Sequence, residues 1–215
     1  MLKYALSLFA ALAIIPIVGI GIADNKGAPP AIVWEKTLED AIAKAKTTGK
    51  SILLDFFAPT WTGCKTLGIV TYPDSAVINY ISKNSVPLQI NVQTNAEIAG
   101  IYRVFWTPTI LVLDFNGTEY YHFNGFLPPD EFIPQLEFGL GTMALEKQDY
   151  KTATIQLKSV IDKYTRSDIA PQAQYWLGVS EYKDAHNVEA LLNAWRKLKK
   201  DYPDSIWAKK VSFVK

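Results

Sequence analysis

Cysteine is the scarcest chemically active residue in this chain: Cys64 is the only one among 215 residues. One thiol excludes an internal disulfide, so any covalent sulfur pairing must be with another molecule. Histidine is nearly as rare, with only His122 and His186. Two isolated histidines with no cysteine beside them predict no metal site. The chain also lacks a glycine-rich phosphate loop and a Ser-His-Asp spacing, so no cofactor is expected.

Charge of one sign is missing as well. The formal net charge is +1, and removing residues 1–23 takes away Lys3 and no acid, leaving 21 residues of each sign. A neutral chain gives no general reason to expect nucleic acid as a partner. One short stretch is locally basic: Arg196, Lys197, Lys199, Lys200, Lys209 and Lys210. It falls in a helical pattern and reads as a solvated helix face.

What is present is apolar. Hydrophobic residues make up 49% and aromatic residues 13%, which excludes a disordered chain. The length suffices for one good core or two small ones. Lys3 precedes an apolar run from Tyr4 to Ala23, which ends Gly21-Ile22-Ala23 before Asp24. This is the pattern of a signal peptide over residues 1–23, with small residues where a signal peptidase cuts. The run is also long enough to span a bilayer if left uncleaved, so a membrane contact is expected only in that case. Both readings place the remainder in the periplasm or another extracytoplasmic space, where disulfides are common.

Residues 24–31 read as a linker. Ile32-Val33-Trp34 opens the folded region as a first strand. A helix is predicted from Thr37 to about Thr48, with Leu38, Ala41, Ile42 and Ala45 on one face and Gly49 at its end. Ser51 to Phe57 is an apolar run with a single acid, Asp55, which suits a central buried strand. A helix at about 62–70 follows, then another after Asp74, a candidate N-cap, with Val77, Ile78 and Ile81 inward. Val86 to Val92 predicts a strand, Ala96 to Tyr102 a short helix, and Thr109 to Phe115 a strand. The turn Asn116-Gly117 returns the chain as Thr118 to Phe123. A helix from Pro128 to Phe138 closes the unit. This order predicts an α/β fold, a mixed sheet with helices on both faces, over residues 32–138.

From Gly139 to the end, strand signals vanish and an internal repeat takes over. Tyr150, Ala153, Leu157, Val160, Tyr164, Ser167 and Ala170 recur 38 positions later as Val188, Leu191, Trp195, Leu198, Tyr202, Ser205 and Ala208. Further helices are predicted at about 140–147 and 171–183. These helix pairs over 139–215, with Tyr175-Trp176-Leu177-Gly178 opening one of them, resemble tetratricopeptide (TPR) repeats. Two such repeats bury little alone, so they are expected to pack on the first unit or on a partner.

The segment Leu54-Asp55-Phe56-Phe57-Ala58-Pro59-Thr60-Trp61-Thr62-Gly63-Cys64-Lys65 resembles the active-site strand and turn of the thioredoxin family. In that family the turn reads Trp-Cys-x-x-Cys-Lys. Aligned without gaps on Asp55 and Phe56, Cys64 and Lys65 fall on the second cysteine and its lysine, and Trp61 on the first cysteine. A one-residue gap instead puts Thr62 there. Trp106-Thr107-Pro108-Thr109 resembles the family's second landmark, a cis-proline facing the turn. The resemblance covers about 32–138, and the phrase Thr71-Tyr72-Pro73-Asp74 with the TPR-like tail resembles a bacterial subgroup of exported thioredoxin-like proteins.

The resemblance implies a site that has lost its nucleophile in either register. Exchange within one chain needs two sulfurs, so dithiol chemistry is excluded for these residues. Cys64 then has two readings, inert packing or a monothiol acting on small thiols, peroxide or partner cysteines. The peroxidatic reading fails where the peroxiredoxin Thr would stand, because that position is Trp61. Asp55 resembles the buried family acid that serves the second cysteine; alternatively it only hydrogen-bonds water or backbone. Burial would raise its pKa. Trp61, Trp106, Thr107 and Pro108 are the expected groove for protein or peptide partners, Thr107 through its backbone. For Trp106 the alternative reading is packing. Trp34, Trp176, Trp195 and Trp207 are expected in the core. The favoured function is an exported partner-binding or adaptor protein, with helical repeats as a second partner surface. The alternative is a monothiol redox protein using Cys64 and Asp55.

Overall fold

The structure is a computed structural model that describes residues 31–215. The signal-peptide or anchor expectation at 1–23, and the linker through residue 30, lie outside the described residues.

Four strands form one mixed sheet: β1 (Ser51–Phe57), β2 (Ser85–Asn91), β3 (Thr109–Leu113) and β4 (Glu119–Asn124). Their order is β2-β1-β3-β4. β1 runs parallel to β2 and antiparallel to β3, and β3 pairs antiparallel with β4. The predicted first strand at 32–34 does not form; Glu35 makes only an isolated parallel bridge to Leu88. Glu35 N–H donates to Pro87 O at 2.8 Å. Pro87 therefore turns its missing N–H toward the sheet edge, where a ladder bond is not required.

The period-two alternation of the strands divides the core. Ile52, Leu54 and Phe56 of β1 join Val86, Leu88, Ile90, Leu111 and Leu113 on one face. Helix α1 (Leu38–Thr48) covers this face with Ala41 and Ala45, as its sequence period requires. Thr37 caps its start by accepting from Asp40 N–H at 3.0 Å. Gly49 ends it in the left-handed region at φ 70°. The short helix α4 (Ala96–Ile101) adds Ala99.

Leu53, Ile110, Val112 and Phe123 face the other way, under Val77, Ile81, Phe132, Ile133 and Leu136. These helical residues come from α3 (Ser75–Asn84) and α5 (Pro129–Glu146). Asp74 caps α3 through bonds from Ala76 and Val77 N–H. The helix expected over 62–70 divides into α2 (Thr62–Thr66) and a π-helical turn over Leu67–Thr71.

The expected helices at 128–138 and 140–147 are one continuous helix, α5. Gly139 explains why it can lie so close to the sheet: a Cβ there would stand 2.8 Å from both Tyr121 and Val112 side chains. α5 also belongs to the helical half, because its Phe138 packs with Leu157, Val160, Ile161 and Ala173. Those residues lie on α6 (Tyr150–Lys163) and α7 (Ala170–Ala185), followed by α8 (Val188–Asp201) and α9 (Ile206–Lys210). The fold is thus a four-stranded mixed sheet flanked by helices, followed by a run of packed helices.

The 38-residue offset relates α6 to α8. Both have 14 residues, with Asp149 and Asn187 as N-caps and Tyr164 and Tyr202 as C-caps. Trp34, Trp176, Trp195 and Trp207, expected in the core, are half-buried and border it instead. Trp195 stacks on Tyr175 at 5.2 Å and donates from Nε1 to Tyr175 O at 3.2 Å. An indole needs that polar partner when its body is covered.

Candidate functional site

β1 delivers the site. Asp55 lies on the α3 and α5 face of the sheet, beside Leu53, and is 1% exposed. After Phe57 the chain turns, and Trp61 becomes the N-cap of α2 without a side-chain capping bond. Cys64 is therefore one turn into the helix, half-buried, with Ala58 N–H donating to its Sγ at 3.5 Å. Lys65 is exposed.

Thr107-Pro108 is a cis peptide, and Pro108 is buried against the turn. The contact runs through Gly63, where an added Cβ would lie 3.0 Å from Pro108 Cδ. Glycine is thus what lets the turn seat on the proline. Trp61 and Trp106 meet edge to face across the same junction, with ring centroids 5.2 Å apart and planes at 90°. They remain 45% and 51% exposed, and neighbouring Phe105 is 91% exposed. Together with Val92, Val104 and Thr107 these three aromatics line an open groove of about 340 Å³. The six residues singled out in the sequence, Asp55, Trp61, Cys64, Trp106, Thr107 and Pro108, thus lie around one turn and one loop. A larger hollow of about 590 Å³ lies between Lys50, Lys83, Phe115 and the α5–α6 helices, and none of the six lines it.

Two residues at the site were not anticipated. Tyr72 Oη donates to Asp55 Oδ2 at 2.8 Å, and Gln89 Nε2 donates to the same oxygen at 2.9 Å. The signal for Gln89 was available: it is a polar residue inside an apolar strand, and it pairs directly with Asp55. Tyr72 stood out only within the subgroup phrase at 71–74, with no signal for a contact to Asp55. The π turn brings it in, with Tyr72 N–H bonding to Leu67 O at 2.9 Å. Extra-residue turns of this kind re-aim a side chain that a regular helix would point elsewhere.

Electrostatics follow from burial. Asp55 Oδ1 has no hydrogen-bond partner. Burial raises the Asp55 pKa to about 6, against the opposing pull of Gln89 and Tyr72. Burial also pushes the Cys64 thiol up, partly offset by the Ala58 N–H and the Thr107 hydroxyl, while the Asp55 charge pushes it further up. Cys64 is therefore mostly a protonated thiol at neutral pH, and a thiol is a poor nucleophile. Among the described residues, no group of three or more His, Cys, Asp or Glu is placed to hold a metal ion. Among them, too, no helix is long and apolar enough to cross a membrane.

A family model described as a thioredoxin-like domain matches residues 38–140. The thiol:disulfide interchange protein DsbD of Colwellia psychrerythraea is 34% identical over 102 residues, which are 44% of this chain and 17% of that protein. DsbD of Pseudoalteromonas atlantica is 33% identical over 85 residues, 38% of this chain and 14% of that one. The chain thus matches less than a fifth of the length of these relatives. Among solved structures, a thioredoxin from Thermus thermophilus is similar at 22% identity and a TM-score of 0.48, covering 54% of this chain and 93% of that one. A putative disulphide-isomerase from Bacteroides thetaiotaomicron is similar at 23% identity and a TM-score of 0.47, covering 53% and 96%. Residues 38–140 of this chain are a thioredoxin-like domain, related in sequence to a segment of thiol-disulfide interchange proteins.

Proposed function

We propose that this chain is an exported thioredoxin-like protein that binds protein or peptide segments and does not carry out dithiol exchange. The carrying observation is Trp61 at the N-cap of α2, three residues before the only thiol of the chain. The N-cap is where free helix N–H groups favour a thiolate. An indole there supplies surface and no nucleophile. The exposed Trp61, Phe105 and Trp106 offer apolar area, and the cis loop at Thr107 offers backbone to an extended segment. The packed helices after residue 146, read as TPR-like hairpins, supply a second surface for partners. Export is inferred from the leader pattern at residues 1–23.

One observation favours the alternative, a monothiol protein acting through Cys64. Its sulfur accepts the Ala58 backbone N–H, which pulls the thiol pKa down against burial, and the buried acid Asp55 lies near. Asp55 would then take the thiol proton. The Cys64 sulfur would attack a partner disulfide, form one new S–S bond and expel the partner's thiolate. Release would require an external thiol, because the chain has no second cysteine.

The Cys64 thiol pKa, measured with turnover in insulin- and glutathione-coupled assays, separates the two readings. A pKa above about 9 with no turnover sinks the monothiol reading. Turnover that Cys64→Ser abolishes sinks the binding reading. For the latter, Trp106→Ala should weaken binding of an unstructured, cysteine-free polypeptide while Cys64→Ala leaves it unchanged.

A further inference from the structure

The charge of this chain is segregated. Residues 196–215 carry seven Lys and Arg against only Asp201 and Asp204, a net of +5. Residues 31–195 carry 13 Lys and Arg against 18 Asp and Glu, a net of −5. The near-neutral whole hides a basic end.

That end is also apolar. Ala208, Val211 and Val214 turn inward and are buried against Leu198. Ile206, Lys209 and Lys210 of α9 and Phe213 of the turn after it are left exposed. Ile206 is 62% exposed and Phe213 71% exposed. Lys210 Nζ sits 3.9 Å from the centre of the half-buried Trp207 ring. Exposed aliphatic and aromatic groups interleaved with lysines in one short segment suit a headgroup boundary, where apolar groups enter and ammonium groups meet lipid phosphates.

We propose that the surface of α9 and the turn after it, with Ile206, Trp207, Lys209, Lys210 and Phe213, docks on an anionic lipid bilayer. This contact does not require residues 4–23. A nucleic acid would use the lysines and leave Ile206 and Phe213 without a role. A second copy would have to set its net-negative remainder, residues 31–195, against this segment.

The test is co-sedimentation of the full chain with vesicles of phosphatidylcholine alone and with 30% phosphatidylglycerol added. An apolar leader would bind both, so the readout is the ratio between them. The ratio should exceed about 25-fold at low salt, about fivefold for each of two lysines, and fall as salt rises. Lys209→Gln with Lys210→Gln should lower it by roughly 25-fold, about fivefold per lysine near a charged surface. Ile206→Ser with Phe213→Ser should weaken binding to the anionic vesicles and leave its salt dependence in place. Both pairs are exposed, and unchanged far-UV circular dichroism would show that they fold. A ratio near one, or one that the lysine pair does not change, overturns the proposal. So does tighter binding to a DNA duplex at the same salt, indifferent to the Ile206 and Phe213 changes. Salt-sensitive self-association without lipid, abolished by the lysine changes, overturns it in favour of a second copy.

Discussion

The Tyr72 hydroxyl donates to Asp55 Oδ2 at 2.8 Å, and the other oxygen of that carboxyl has no partner. The site is therefore built on a buried acid held from one side only. Tyr72 in turn packs edge to face on Trp34 and Phe132, at 5.1 and 5.8 Å between ring centroids. Its hydroxyl position is set by that aromatic cage and by the π turn before it.

A buried acid of this kind makes stability depend on pH. Its folded pKa of about 6 lies above the usual unfolded value of about 3.9. The folded chain thus holds the proton more tightly. Its contribution is fully present below about pH 4 and is lost as pH rises through about 6. The loss should be about 2–3 kcal/mol at most, at 1.36 kcal/mol per pKa unit. Urea unfolding of wild type and Asp55→Asn at pH 4.5 and pH 8, conditions chosen to bracket the transition at roughly one to two units either side, should show this slope only in wild type. An equal slope in both proteins would remove Asp55 as its cause.

Tyr72→Phe keeps the ring packing and deletes one donor. Asp55 Oδ2 would keep only Gln89, so the variant should lose about 1–2 kcal/mol at pH 8, where the carboxylate is charged. Because that bond lowers the Asp55 pKa, its removal should move the Asp55 titration to higher pH. Carboxyl chemical shifts followed against pH would report it, and an unmoved titration would contradict the assignment.

Trp61→Cys restores a sulfur at the helix N-cap, three residues before Cys64. Its thiol should titrate below about 8.5, and insulin reduction should appear where wild type shows none. Thr62→Cys, one position inside the helix, should not produce this activity. The opposite result would mean that the gapped register is the functional one.

Gly63→Ala pushes a methyl against Pro108, whose ring cannot rotate away. The expected cost is about 1–3 kcal/mol. The Trp61–Trp106 contact should loosen with it, visible as a change in tryptophan emission. A variant as stable as wild type would mean that the turn shifts freely.

Much of the site was readable as sequence because the decisive signals are local. Asp55 in an apolar strand, Cys64 after a turn and Trp-Thr-Pro before a strand each stand out within a few residues. The α1 and α3 boundaries were equally local, since Thr37, Gly49 and Asp74 satisfy backbone groups next to themselves. The reading failed where distant surfaces decide. Residues 32–34 have strand character but form only one bridge, because a strand exists only where a partner's edge accepts it. The break expected after Phe138 does not occur, because α5 packs on the sheet with one stretch and on α6 with the next.

Sequence by itself determined what chemistry is possible in these 215 residues. One cysteine means no internal disulfide within these residues whatever the fold, because sulfur count does not depend on conformation. Strand alternation and helix period likewise set which residues face the core. Tertiary structure alone decided the environment of that one thiol. It placed Tyr72 and Gln89 on Asp55, left Oδ1 unpaired, and put Trp61 rather than Thr62 at the helix N-cap. These are consequences of burial and of contacts between residues far apart in the chain, and pKa values answer to such surroundings rather than to neighbours in sequence.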